Sequence, residues 1–566
     1  MIRFGYCFLL LIGIAPILPG MMGVMLSSLG YIPAVGLHEF SVAGFADVWR
    51  WTGVGQSLLL SAGSALLSTY GALLLSFAVL MTLWSRQRWH WVEHCLSGLL
   101  ALPHVAFAIG FAFLFAPTGM MARAFVALFD YQVSTQDSAW LVHDPHAFGL
   151  TLALALKETP FLLLMSIPVL QQLHVQTLLT SGASLGYSPM QSWWKLVLPQ
   201  WLRKMRFALF AVIAYSVSVV DVSLILGPTT PPTFAVLVWQ WFSDPDLNQL
   251  PRAAAGAVVL LGLAGLMLLS VVLIEALILR VFRGWLSSGR HGMSLPGKSV
   301  MTLVLSCAAI IFPLMLVWSV AQRWRFPNLW PSQFSDRFWL SEWPNMLPTL
   351  SQSLWIALLS GTLALLLGVI AHEFRTRSRL ALPAWVIVLP MLLPQISLLF
   401  GLQIATLFIA AEHYTLWVIW SHVFFAFPLV YLALDGPWKS YNPNYTRVAL
   451  SLGKTPWQLF WQIKVPMLLP GLLYAWAVGI SVSLAQYLPT LMLGGGRIAT
   501  ITTEAVALSS GYDRRVMAIY ALWQALLPFI FFSLAVVISR VQIRRHRSIQ
   551  PQVILHDLLP RKPHHP

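Results

Sequence analysis

Hydrophobic positions along the chain gather into long runs separated by short polar segments. The runs are centred near residues 15, 70, 105, 158, 215, 267, 310, 360, 395, 425, 480 and 527. An α-helix rises about 1.5 Å per residue, so about 20 apolar residues cross a hydrocarbon core of roughly 30 Å. The pattern predicts an all-α, polytopic membrane protein with about twelve transmembrane helices. Two connecting stretches, Phe40 to Trp51 and Trp324 to Trp343, are rich in aromatic residues. They read as loops or helices on the bilayer surface, because a Trp or Tyr ring is apolar while its NH or OH seeks water.

Composition sharpens this reading. Of 566 residues, 58% are hydrophobic and 9% charged, against about 25% charged in soluble domains, which excludes an ordinary soluble enzyme. The first run, from Met1 to Gly30, lacks a small-residue cleavage site and reads as a retained span. Lys and Arg outnumber Asp and Glu by 34 to 19. With the N terminus inside, 24 of those 34 cations fall on the cytoplasmic side and nine on the other, with Lys157 inside a span. The net charge therefore reads as positive-inside topology and not as nucleic-acid binding, with both termini cytoplasmic. Cys7, Cys95 and Cys307 are odd in number and imply no disulfide framework.

A repeat with an offset of 267 residues organises the chain. Gly186 pairs with Gly453, Pro199 with Pro466 and Gly227 with Gly494. The two copies run from Ala183 to Pro199 and from Leu450 to Pro466, each between the fourth and fifth spans of its half, so both lie on the cytoplasmic side in two parallel six-helix repeats. Each copy reads as helix, turn, helix. Ser188-Pro189-Met190-Gln191 and Thr455-Pro456-Trp457-Gln458 match a capping box with proline in the first turn. Gly186 and Gly453 fit the left-handed position that ends the preceding helix. The following helices carry more apolar residues than a solvated loop needs, and two such copies favour a docking partner.

These stretches, from Ser184-Leu185-Gly186 to Leu198-Pro199 and from Ser451-Leu452-Gly453 to Val465-Pro466, resemble the cytoplasmic EAA loop of binding-protein-dependent ABC importer permeases, with Gly thirteen residues before Pro. The resemblance covers nearly the whole chain, as two permease units fused head to tail, similar to the ferric-iron and thiamine importer permeases. It implies a first unit over 1–283, a basic cytoplasmic linker over 284–299, a second unit over 300–540 and a basic tail over 541–566. It also implies a solute path between the halves and a periplasmic solute-binding protein. Each loop would dock on one of two copies of an ATPase subunit that holds ATP and Mg, through Gly186, Ser188, Pro189 and Pro199 or Gly453, Thr455, Pro456 and Pro466. This chain itself would hold no cofactor and perform no catalysis. The acidic residue that often opens the motif is replaced by Thr180 and Arg447.

Other signals are weaker. Gly292 to Ser299 spells the GxxxxGK[ST] phosphate-loop pattern around Lys298, but a basic linker precedes it and a membrane span follows, so it reads as linker. His90, His94 and Cys95 have ligand spacing without a fourth partner and read as an interfacial loop. Ionisable residues inside spans are costly and hence functional candidates. Asp221, for which a structural hydrogen-bonded role is the alternative, and Glu158 are the candidates for the solute path, Glu158 with its neighbour Lys157 facing a wet cavity or other helices; Glu275 lies in the sixth span. Two other classes compete: a 6+6 secondary transporter, which needs no cytoplasmic docking helices, and a membrane-embedded transferase, for which Asp130, Asp137 and Asp144 are too scattered.

Overall fold

The computed structural model describes residues 2–84, 86–129, 141–288, 292–378, 380–409, 413–511 and 513–549. The aspartates at 130 and 137, Arg290 and the tail from 550 lie outside them, as do the side chains of His90 and His94. Apart from an antiparallel pairing of Ala321–Arg323 with Gln333–Phe334 and an isolated bridge at Ile32 and Leu37, the regular structure described is helical.

A helix occupies each expected apolar run. In the first half these are α1 (Arg3–Ser28), α2 (Val54–Leu83), α3 (His104–Phe129), α4 (Phe148–Gln172), α5 (Arg206–Ser218) and α6 (Leu247–Val281). The second half has α7 (Gly297–Val320), α8 (Arg337–Arg377), α9 (Gln395–Leu407), α10 (Tyr414–Ser440), α11 (Pro456–Ala485) and α12 (Arg514–Gln542). Ten of them are long and apolar enough to cross a membrane. The other two, α5 and α9, have 13 residues each, about 20 Å of helix and short of a full crossing. Helix α5 stops where Val219 turns extended, and α9 starts only after the prolines at 390 and 394. Of the aromatic stretches, the first holds a short helix, Ala43–Arg50, while Trp339 and Trp343 belong to α8 itself.

The halves are interleaved. Helix α1 packs on α8 and α9 of the other half, and α7 packs on α2 and α3 of the first. Small residues permit these crossings. A Cβ on Gly23 would stand 2.6 Å from the Gly401 carbonyl oxygen, and one on Gly110 would stand 2.1 Å from Ile311 Cγ2. Within the second half α8, α10 and α11 form a tight trio, while in the first α2 packs on α4 and α5, and α5 on α6.

Candidate functional site

Both repeat copies fold alike from the sequence up. Helix Val175–Ser184 ends in a Schellman motif: Gly186, at φ +83°, donates its N–H to the Ala183 carbonyl (3.0 Å) and Tyr187 to that of Gly182 (2.9 Å). Helix Pro443–Ser451 ends identically, with Gly453 at φ +78° donating to Leu450 (3.0 Å) and Lys454 to Ala449 (3.1 Å). The next helices start at Ser188 and Thr455, whose hydroxyls accept from the Gln191 and Gln458 amides while those side chains reach back, forming both capping boxes. A widened π-turn follows in each, Trp193–Val197 and Phe460–Lys464. Pro199 and Pro466 account for it, since a proline offers no N–H to the carbonyl four residues back and its ring crowds that carbonyl.

Each loop is anchored by a buried lysine, to the linker in the first copy and to its own half in the second. The Lys195 Nζ donates to the Trp285 carbonyl, 2.8 Å away, and Lys464 pairs with Glu373 beneath Trp438. The turns expose a leucine at the same register, Leu185 at 73% and Leu452 at 77%. Their surroundings differ. In the first loop the Trp194 indole donates to the Met293 carbonyl (2.6 Å), and Gly292 lies against the Gln191 backbone, so the linker covers that helix. Its counterpart Trp461 is half exposed.

A second constellation lies where α5 and α11 break. Helix α5 gives way at Val219 and Val220 (φ/ψ −67°/126° and −105°/−51°) to a short helix, Asp221–Leu226. Helix α11 gives way at Gln486 and Tyr487 (−76°/117° and −97°/−67°) to Leu488–Leu493. These are again 267 residues apart. Glu158 on α4 bonds the ring of His104 (2.8 Å), which lies 4.8 Å from the Tyr215 ring. Half-buried Asp221 accepts a hydrogen bond from its own neighbour, the Val222 amide (2.9 Å), and lies within electrostatic reach of His104, Tyr215 and Tyr487. Tyr487 comes from the other half and packs on Trp239 of the first. The structure thus gathers Glu158 and Asp221 with His104, Tyr215 and Tyr487, which sequence reading did not single out. Lys157 points elsewhere, donating to the Leu99 carbonyl (2.9 Å), and Glu275 is held by Arg206 through two bonds of 2.8 Å.

The phosphate-loop pattern has no phosphate-loop structure. Residues 292–296 are irregular, and Gly297 opens α7 against α2, where a Cβ would stand 2.0 Å from the Ala78 carbonyl oxygen. Among the described residues no group of three or more His, Cys, Asp or Glu could hold a metal ion.

No protein-family model matches the chain. The inner membrane ABC transporter permease protein YnjC of Escherichia coli strain K12 is 33% identical over 539 residues, covering 95% of this chain and 97% of that protein. The putrescine transport system permease protein PotI of the same strain is 24% identical over 221 residues, 36% of this chain and 77% of that protein. The molybdenum transport system permease protein ModB of Mycobacterium tuberculosis is 28% identical over 205 residues, 34% of this chain and 75% of that protein. These relatives support the permease family at large and do not single out the ferric-iron and thiamine branch that the sequence resembles.

Proposed function

The chain belongs to the ABC transporter permeases, and from that premise we propose that it forms the solute path of an importer and grips one ATPase subunit with each EAA-like loop. It is a transport subunit and not an enzyme; ATP and Mg belong to the partner, and a periplasmic solute-binding protein delivers the solute. The two loops support this reading most directly: each ends its helix with a Schellman glycine, restarts with a capping box, and presents an exposed leucine at the same register. Exposed apolar side chains on a rigid frame suit a protein partner. Their position on the cytoplasmic face, with both termini, follows from the distribution of Lys and Arg. An ion-driven 6+6 transporter would have no use for these loops.

Asp221 and the Glu158–His104 pair, at the paired helix breaks, are the proposed solute contacts. Two carboxylates with tyrosines within electrostatic reach favour a cationic solute, since a cation gains from their charge. That chemistry fits the diamine named for PotI better than the oxyanion of molybdenum.

The experiment is co-purification with the ATPase subunit after co-expression. Leu185→Glu and Leu452→Glu leave the backbone of each turn unstrained and place a charge on the exposed apolar tip. The double variant should reach the membrane normally and lose the ATPase; full retention would remove the docking role.

A further inference from the structure

The breaks in α5 and α11 share a backbone but differ in what holds them. Ser483 precedes the α11 break and Thr490 follows it, and His422 on α10 bonds both: its Nδ1 lies 2.7 Å from Ser483 Oγ and its Nε2 2.8 Å from Thr490 Oγ1. Thr490 gives its one hydroxyl proton to the Gln486 carbonyl, 3.0 Å away. Thr490 can therefore only accept from the ring, which places the ring proton on Nε2 and leaves Nδ1 to accept the Ser483 proton. Gln486 adds a bond from its Nε2 to the His422 carbonyl (3.2 Å), while its Oε1 is buried without a hydrogen-bond partner among the described residues. All four side chains are buried.

In α5 the same hydroxyls stand at the same register, as Ser216 and Ser223, and Ser223 donates to the Val219 carbonyl (2.9 Å) as Thr490 does to that of Gln486. The imidazole has no counterpart. The corresponding stretch of α4 is Leu154-Ala155, and the Ser216 hydroxyl is buried without a hydrogen-bond partner among the described residues. An unsatisfied buried hydroxyl is a cost that a modest rearrangement can relieve, whereas the His422 circuit must be broken to move.

We propose that His422 is a positioning residue for the solute path. It staples the α11 break so that Tyr487 keeps its packing on Trp239 of the other half, and leaves the α5 break, which lacks that staple, as the one that moves during the transport cycle. This rests on the reading that the breaks line the path.

The test uses the full chain co-expressed with its ATPase, with Cys7, Cys95 and Cys307 replaced by Ser and one thiol introduced, Val220→Cys or Tyr487→Cys. Labelling by N-ethylmaleimide is timed with and without a non-hydrolysable ATP analogue. Position 220 should change its rate about tenfold with nucleotide while 487 changes less than about twofold. His422→Leu should speed labelling at 487 about tenfold even without nucleotide, and His422→Gln, whose amide offers the same donor and acceptor, should restore protection. Equal nucleotide responses at 220 and 487, or protection at 487 untouched by His422→Leu, overturns the proposal. The nucleotide-free arm needs no ATPase, so failure of the docking reading, visible as absent co-purification, is distinct from failure of the staple.

Discussion

A single carboxylate carries the chemical character of the proposed path. Asp221 follows the α5 break, and the one side-chain hydrogen bond described for it comes from the amide of the next residue. Glu158, by contrast, is already engaged by His104. Asp221→Asn preserves shape and removes the charge. Binding of thiamine, putrescine and molybdate to the purified complex is then the informative measurement. A cation should bind the native chain, and Asn should weaken it about tenfold, the equivalent of about 1.4 kcal/mol, with ATPase co-purification unchanged. Binding of molybdate alone, or a cation affinity indifferent to Asn, would refute the assignment. Asp221 and Glu158 stand out in the sequence because charge in an apolar run is costly. Their neighbours do not: His104, Tyr215 and Tyr487 are unremarkable in sequence and gain meaning only from the two helix breaks that bring them together.

The turns of the two loops follow from local spacing. Gly186, Ser188, Gln191, Gly453, Thr455 and Gln458 make bonds within a few residues of themselves, so spacing alone specified the turns. What the sequence did not disclose was the covering of Trp194 by the linker, or the staple through His422, which join residues 99 and 61 apart. Around Gly186 and Gly453 there is open space for a Cβ, so only the positive φ resists substitution. Gly186→Val and Gly453→Val should therefore cost about 1–2 kcal/mol locally, leave the spans folded and loosen ATPase binding, while Gly→Asn at either position should be nearly silent. Membrane levels and ATPase co-purification measure both. Lys298→Ala should leave nucleotide binding and uptake as they are, since the phosphate-loop pattern is the linker and the start of α7.

At the scale of the whole molecule the two halves are legible as a repeat but not as an exchange. Apolar runs locate α1 and α7 without saying that each crosses to the other half, because Gly20, Gly23 and Gly110 differ from other glycines only in what meets them. Relatives such as PotI and ModB match about a third of this chain over about three-quarters of their own length, so each of them is about as long as one half of it. The interleaving would give a fusion of two such units its reason: α1 divides its packing between α6 of its own half and α8 and α9 of the other, and α7 between α12 and the pair α2 and α3. Cutting the chain within the linker, after Ser288, tests this. Each fragment expressed alone should accumulate poorly, because α1 would lose the Gly401 crossing with α9 and α7 the Gly110 crossing with α3, exposing close-packed backbone to lipid. Co-expressed, the fragments should recover each other, since both crossings depend on neighbours in space and not on the covalent link. Normal accumulation of either fragment alone would show that the exchanged helices contribute little, and failure of the pair to recover would show that the linker, through Gly292 and Met293 on the first loop, is itself part of the structure.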